Sequence, residues 1–345
     1  MASITIADVL IDDDCEPQVI AEIGINHGGD LSIAKKMVLK AIESGARLIK
    51  HQTHIPDAEM SIEAKYAIPG NASKSIYEVI SENSLTLEDE YELKKYTESL
   101  GAIWFSTPFS REAFYTLLEW DVPAFKIGSG ECNNYPLVEL IAKAGKPVIM
   151  STGMNSIDSI SRSVSILREN KTPFALMHTT NLYPTPSNLI RLNGIVELKE
   201  NFPDAVVGLS DHSTSNGACI ASISLGARIL ERHFTDSRER IGPDIPCSMD
   251  GSDLKRLIAE SKDAFFAQGG GRYPAPEEQV TINFAFASVV AIKDIAKGET
   301  LTLDNIWVKR PSGGDFGPAK FKELLGRRAQ NSILRNTQIK KTDLL

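Results

Sequence analysis

The sequence predicts the α/β class: a (β/α)8 (TIM) barrel over residues 1–268, a linker over 269–282 and a small β-rich domain over 283–345. Three observations predict it. Short apolar runs alternate eight times with helical patterns over about 250 residues, which is the size and rhythm of such a barrel. The runs are continuous and rich in Val and Ile, as strands covered on both faces are. The composition then shifts to Gly, Pro and Glu at "GGGRYPAPEEQV", and after it come short alternating runs broken by turns.

The first strand is read at 19–24 (VIAEIG). Asp30 is a plausible N-cap for the helix that follows, with Ala34, Val38, Ala41 and Ile42 on one face and Gly45 closing it. The other strands are read at 46–52 (ARLIKHQ), 102–107 (AIWFST), 123–130 (PAFKIGSG), 146–152 (KPVIMST), 173–180 (PFALMHTT), 205–212 (AVVGLSDH) and 227–234 (ARILERHF). Helices are expected near 86–100, 110–119, 135–144, 155–169, 189–201, 216–225 and 251–267. The stretch from Thr53 to Ile80 is read as one long loop after the second strand, and loops of that length in a compact barrel are commonly functional. Beyond the linker, "FASVVAIKDI" and "IWVKRP" read as strands, with "AKGET" and "SGGDFG" as turns.

Composition limits the function. The net charge of -8 argues against a nucleic-acid partner, which would want a basic face, but it leaves room for a local cationic pocket. Cys15, Cys132, Cys219 and Cys247 are scattered without C-x-x-C spacing, so neither a disulfide framework nor a cysteine metal site is expected. No apolar run approaches the length of a membrane span, and "MASITIADVLIDDD" has no secretory pattern; a cytoplasmic protein is expected.

In a barrel of this kind the C-terminal ends of the strands line the active site. Those ends carry Glu22, Lys50 and Gln52, Ser106 and Thr107, Lys126 and Ser129, Ser151 and Thr152, Asn181 and Tyr183, Ser210 and His212, Glu231 and His233. Strand ends also emerge into water, which explains any one polar residue as well as function does. Lys50 and Lys126 are harder to explain that way, because each ends an otherwise apolar strand. Two lysines among the hydroxyls of Thr107, Ser129 and Ser151 describe an anion pocket. No Walker motif or G-x-G-x-x-G is present, so a nucleotide is not indicated.

"ARILERHFTD" places Glu231, Arg232 and His233 at the end of a buried strand, where unpaired charge is costly. Alternation puts Glu231 and His233 on one face and Arg232 on the other, as a structural ion-pair partner behind the wall. His212 ends the preceding strand, so the two imidazoles converge. Either histidine alone is more often structural than a ligand. As a pair they make an open divalent-metal site completed by water or substrate and tolerant of Mn²⁺ or Mg²⁺. His51 and His54 show no such convergence and are read as packing or loop structure.

The blocks "EIGINHGG", "KHQTH", "STPFSR", "KIGSGECNNYPL", "STGMNS", "HTTNLYPTP", "GLSDH", "LERHFT", "GPDIPCSMD", "FAFASVVA" and "WVKRP" resemble, in order and spacing, those of the bacterial N-acetylneuraminate (sialic acid) synthases. The resemblance runs from about residue 17 to the C-terminus. It implies a barrel followed by an antifreeze-like (SAF) domain, and the condensation of phosphoenolpyruvate with N-acetylmannosamine and water to N-acetylneuraminate and phosphate. It also implies a divalent metal, Mn²⁺ first with Mg²⁺ or Co²⁺ as alternatives, and a domain-swapped homodimer. By motif, His212 and His233 match the metal ligands; Lys50, Thr107, Lys126, Ser129, Ser151 and Ser210 match the phosphoenolpyruvate pocket. Gln52, Asn181, Tyr183, Glu231 and Asp244 match groups around sugar and metal, and Glu22 matches a residue that handles a proton. Phe284 and Arg310 match small-domain residues that reach the neighbouring subunit's site. "KHQTH" favours the neuraminate branch over synthases of legionaminic or pseudaminic acid.

Synthesis of a related nonulosonic acid such as legionaminic acid, by the same chemistry, is the nearest rival. A metal-dependent barrel hydrolase would want more carboxylate and His ligands, typically with an H-x-H near the first strand, which "EIGINH" does not offer. A non-catalytic sugar-binding protein would not need the His pair and the lysines together.

Overall fold

A computed structural model describes residues 2–70 and 72–345, which divide into two compact units after Gly269. In the first unit, eight parallel strands among the described residues close a barrel: β3 (Gln18–Glu22), β4 (Leu48–Thr53), β5 (Ile103–Pro108), β6 (Phe125–Ile127), β7 (Val148–Ser151), β8 (Phe174–Thr179), β9 (Val206–Asp211) and β10 (Ile229–His233). Each falls on one of the eight expected runs. Closure is made by β10, which pairs with β9 on one side and β3 on the other, His233 standing beside Glu22.

Helices cover the outside: α1 (Leu31–Glu43), α4 (Leu87–Ser99), α5 (Arg111–Glu119), α6 (Tyr135–Lys143), α7 (Ile157–Glu169), α8 (Asn193–Asn201), α9 (Gly217–Ser224) and α10 (Gly251–Phe266). Asp30 caps α1 as expected, its carboxylate accepting from the backbone N–H of Ser32 and Ile33 at 2.7 and 3.1 Å. Ala34, Met37, Val38 and Ala41 turn inward and pack with Val19, Ala21, Ile23 and Ile49 in the layer between strands and helices.

Two features differ from the expectation. The chain begins with a hairpin, β1 (Ser3–Ile6) and β2 (Val9–Asp12), a stretch in which no element was expected. Its Ile4, Ile6, Val9 and Ile11 pack with Ile20, Leu48, Phe105, Ile149, Met177 and Ile229 inside the barrel. Those barrel residues precede the polar strand ends, so the hairpin plugs the floor and leaves the opposite end for chemistry. The 53–80 stretch is not structureless either. It holds α2 (Pro56–Glu59) and the start of α3 (Ile76–Asn83), which Ser75 and Glu78 open with a capping box; Asn71 lies outside the described residues.

The second unit has its own core of Val289, Ala291, Ile295, Leu301, Ile306, Leu324, Ala329, Ile333, Ile339 and Leu344. A short helix, α11 (Gln279–Ala285), lies across the end of the stretch read as linker. The expected strands are β11 (Ser288–Ala291) and β12 (Ile306–Lys309), paired antiparallel, and α12 (Phe321–Leu324) follows.

Candidate active site

Parallel strands alternate their side chains, so each strand end sends one set inward and the next behind the wall. On β4, Lys50 and Gln52 face the barrel mouth, while His51 faces outward and meets Glu90 of α4 at 2.9 Å and His27 at 3.0 Å. His51 is thus a packing residue, as read. On β10, Glu231 and His233 face the mouth and Arg232 faces away. Arg232 donates to the Ser213 carbonyl and the Asn216 side chain, both at 2.6 Å, and lies 3.6 Å from the Asp211 carboxylate.

One pocket at the mouth is lined by thirteen of the sixteen expected site residues: Glu22, Lys50, Gln52, Thr107, Lys126, Ser129, Ser151, Asn181, Tyr183, Ser210, His212, Glu231 and His233. Asp244 stands beside it, its Oδ2 at 3.8 Å from His233 Nδ1. Phe284 on α11 and Arg310 after β12 belong to the second unit.

Four buried charges form the centre. Lys50 is ion-paired with Glu22 and lies 3.6 Å from Glu231 Oε1; Lys126 Nζ lies 3.8 Å from that same oxygen. Lys126 also donates to Ser151 Oγ at 2.6 Å, and Lys50 lies 3.3 Å from Thr107 Oγ1. Desolvation works against the charged form of both amines. For Lys50 the carboxylates of Glu22 and Glu231 more than offset it, and its pKa is raised. For Lys126, which Glu231 pulls up and the charge of Lys50 pushes down, burial wins and its pKa is lowered. Burial pushes Glu231 up, but Lys126 and Lys50 pull it below the usual carboxylate value. Glu231 Oε2 and Asn181 Oδ1 are buried and have no hydrogen-bond partner among the described residues. Such atoms are costly unless a ligand meets them.

The histidines converge as expected. Their ring centroids are 5.4 Å apart, and Tyr183 stacks on His212 at 4.2 Å. His212 Nδ1 lies 3.0 Å from the Thr180 carbonyl, which only accepts, so Nδ1 donates and Nε2 keeps its lone pair. Burial pushes both imidazoles down to about 4, so they are neutral at pH 7 and the contact with Asp244 is not an ion pair there. His233 Nδ1 is buried without a hydrogen-bond partner among the described residues. Neutral rings with free lone pairs fit a divalent cation. No group of three His, Cys, Asp or Glu side chains among the described residues is placed to cage one, so the fit is to an open site.

Sequence reading missed Phe109, Thr179 and Glu131, which also line the pocket. Glu131 follows β6 in "GSGECNN"; burial pushes its carboxyl up to about 7, and its Oε2 has no partner among the described residues. A Cβ on Gly128 would lie 2.5 Å from that oxygen, so glycine leaves the space the carboxyl occupies. The available signal was the pair of glycines ahead of an acid at a strand end. Gly153 does the same for Asn181: a Cβ there would lie 1.9 Å from Asn181 Oδ1 and 2.9 Å from Ser129 Oγ.

Known proteins resemble this chain in sequence and fold. The NeuB family matches residues 37–273, and the SAF domain matches residues 286–345. An N,N'-diacetyllegionaminic acid synthase of Campylobacter jejuni is 35% identical over 90% of this chain and 94% of its own length. A pseudaminic acid synthase of the same organism is 35% identical over 94% of this chain and 96% of its own. Among solved structures, the N-acetylneuraminic acid synthetase of Leptospira borgpetersenii, in complex with citrate, has a TM-score of 0.74 at 28% identity, covering 81% of this chain and 95% of that one. With both the barrel and the second domain matched, this chain belongs to the NeuB family of sialic acid-type synthases.

Proposed function

We propose that the protein is an N-acetylneuraminate synthase, joining phosphoenolpyruvate to N-acetylmannosamine with water and releasing phosphate. The observation that carries this reading is the group of Lys50, Lys126 and four hydroxyls gathered with Glu22 and Glu231 at one barrel mouth. Two amines with Thr107, Ser129, Ser151 and Ser210 suit a ligand bearing both a carboxylate and a phosphate.

In the reaction C3 of the enol phosphate bonds to the acceptor's aldehyde carbon, water adds at C2, and the C2–O bond to phosphate breaks. Lys50 and Lys126 hold the anion and balance charge as phosphate leaves. Glu22, set between Lys50 and Gln52, moves a proton at the aldehyde oxygen or the attacking water; Glu131, also in the pocket lining, holds a second proton. Gln52, Asn181, Tyr183, Glu231 and Asp244 meet the acceptor. A divalent cation, Mn²⁺ before Mg²⁺ or Co²⁺, would be held by His212 and His233 and would polarise the aldehyde oxygen as a Lewis acid.

In this reading Phe284 and Arg310 act on a partner subunit's site in a domain-swapped homodimer, and the enzyme works in the cytoplasm. No helix among the described residues is long and apolar enough to cross a membrane. Legionaminic acid synthesis is the second reading, favoured by the 35% identity to the Campylobacter enzyme. Phosphate release from phosphoenolpyruvate, measured with N-acetylmannosamine and with 2,4-diacetamido-trideoxy hexoses, with and without Mn²⁺, decides between them. Release with neither acceptor class sinks both.

A further inference from the structure

His54, read from the sequence as packing or loop structure, takes part in a chain that ends in the active site. Its Nε2 lies 3.0 Å from Gln52 Oε1, and its Nδ1 lies 3.1 and 3.0 Å from the two carboxylate oxygens of Glu59. Gln52 in turn donates from Nε2 to Glu22 Oε1 at 2.9 Å. A carboxylate only accepts, so Gln52 turns its NH₂ to Glu22 and its carbonyl to His54. Both ring nitrogens of His54 therefore face acceptors.

The ring has little freedom to leave. Phe109, part of the pocket lining, stacks on it with centroids 4.3 Å apart and planes 13° apart. The His54 and Glu59 side chains are only 3% and 7% exposed. Glu59 ends α2, and α2 is tied to α3 where Tyr77 donates to Asp57 at 2.7 Å. The chain Glu59, His54, Gln52, Glu22 thus runs from the segment after β4 into the barrel mouth. Without His54, the Gln52 amide would be held only at its Glu22 end, its carbonyl would lose its partner, and the side chain would be freer to swing out of the mouth.

We propose that His54, held by Glu59, is a positioning residue: it fixes the Gln52 amide toward Glu22 and couples the order of the α2 segment to the acceptor side of the site. The kinetic part of this proposal rests on Gln52 meeting the acceptor; the structural part does not.

His54→Phe keeps a ring against Phe109 and removes both polar contacts. Hydrogen exchange at the amides of Ala58, Glu59 and Met60, which close α2, is expected to rise at least tenfold, with exchange in β6 to β8 unchanged; unchanged exchange at α2 overturns the coupling. In steady-state assays His54→Phe should raise the acceptor KM about tenfold and leave the phosphoenolpyruvate KM within about twofold. The double variant with Gln52→Ala should be no worse than the poorer single variant, since His54 acts through Gln52. Additive losses, or a larger effect on phosphoenolpyruvate, overturn the positioning role. Should His54→Phe not fold, Glu59→Ala is read in the same way. If the parent enzyme releases no phosphate with any acceptor, the functional reading has failed and the exchange measurement alone decides the relay.

Discussion

Lys126 and Glu231 meet across the barrel: β6 and β10 are four places apart in either direction around it, yet Nζ and Oε1 are 3.8 Å from one another. Lys50 reaches the same oxygen at 3.6 Å. Glu231 therefore occupies the place where two buried amines focus their charge, and removing it leaves them uncompensated. Breaking a buried pair from one side costs about 3 kcal/mol. Glu231→Ala should be destabilised by roughly that amount in denaturant titrations. Inorganic phosphate should then raise its Tm more than it raises the parent's, because an anion replaces the lost carboxylate. Equal phosphate shifts in the two proteins would show that Glu231 does not balance these lysines.

Loss of Lys126 tests the anion pocket from the other side. A charge-assisted hydrogen bond contributes about 1.5–3 kcal/mol, so Lys126→Ala should raise the phosphoenolpyruvate KM by about ten- to a hundredfold. The acceptor KM should stay within about threefold. A rise confined to the acceptor would reassign Lys126.

The strand ends were legible because burial and charge conflict there. A lysine closing a run such as "PAFK" has few explanations, and period-two alternation then separates Glu231 and His233 from Arg232 before any coordinates exist. Contacts between strands distant around the barrel were not legible, since strand order says nothing about how far a lysine reaches across the mouth. Glu131 was missed because it lies in a loop, where an acid is unremarkable until its burial is known. The N-terminal hairpin was missed because four-residue strands around Ala7 and Asp8 carry too little pattern; their apolar residues make sense only against the barrel floor. His54 looked like loop structure because its partners, Gln52 and Glu59, acquire meaning only once Gln52 is seen to touch Glu22.

The metal proposal rests on two neutral imidazoles. His212→Ala and His233→Ala should each abolish phosphate release while leaving the circular dichroism spectrum and melting cooperativity unchanged. Chelator should inactivate the parent, and Mn²⁺ should restore it. Full activity in a chelated, metal-free preparation would end this assignment.

Arg310 follows β12 in the second unit, and the resemblance to sialic acid synthases is what assigns it to a partner's site. Its planar donors suit the carbonyl of an N-acetyl group. An Arg310→Ala chain mixed with a His212→Ala chain should recover part of the parent activity, since a mixed dimer would hold one intact composite site. Confirmed chain exchange without recovery would remove the shared site.

Glu131 gives a pH signature that does not depend on the substrate. Burial raises its carboxyl from 4.5 to about 7 in the folded protein. The folded state therefore keeps a proton that the unfolded chain gives up between these values, and stability falls as pH rises through that window. Asp244, raised to about 6 by burial, acts in the same direction. His27, His212 and His233 act oppositely: burial lowers them to about 3, 4 and 4, so stability gained by leaving them neutral returns as pH rises toward 6.5. The parent's profile is a sum of these, and only a difference isolates Glu131. Glu131→Gln keeps the shape and removes the titration. Its stability relative to the parent should climb between pH 5 and 8 by an amount on the order of 3 kcal/mol, at about 1.4 kcal/mol per pKa unit. Below about pH 4, where this position is neutral in both proteins whether folded or unfolded, the difference between the two should level off. Parallel stability curves across that range would mean that Glu131 does not hold its proton in the folded state, and its place as a second proton carrier would be lost.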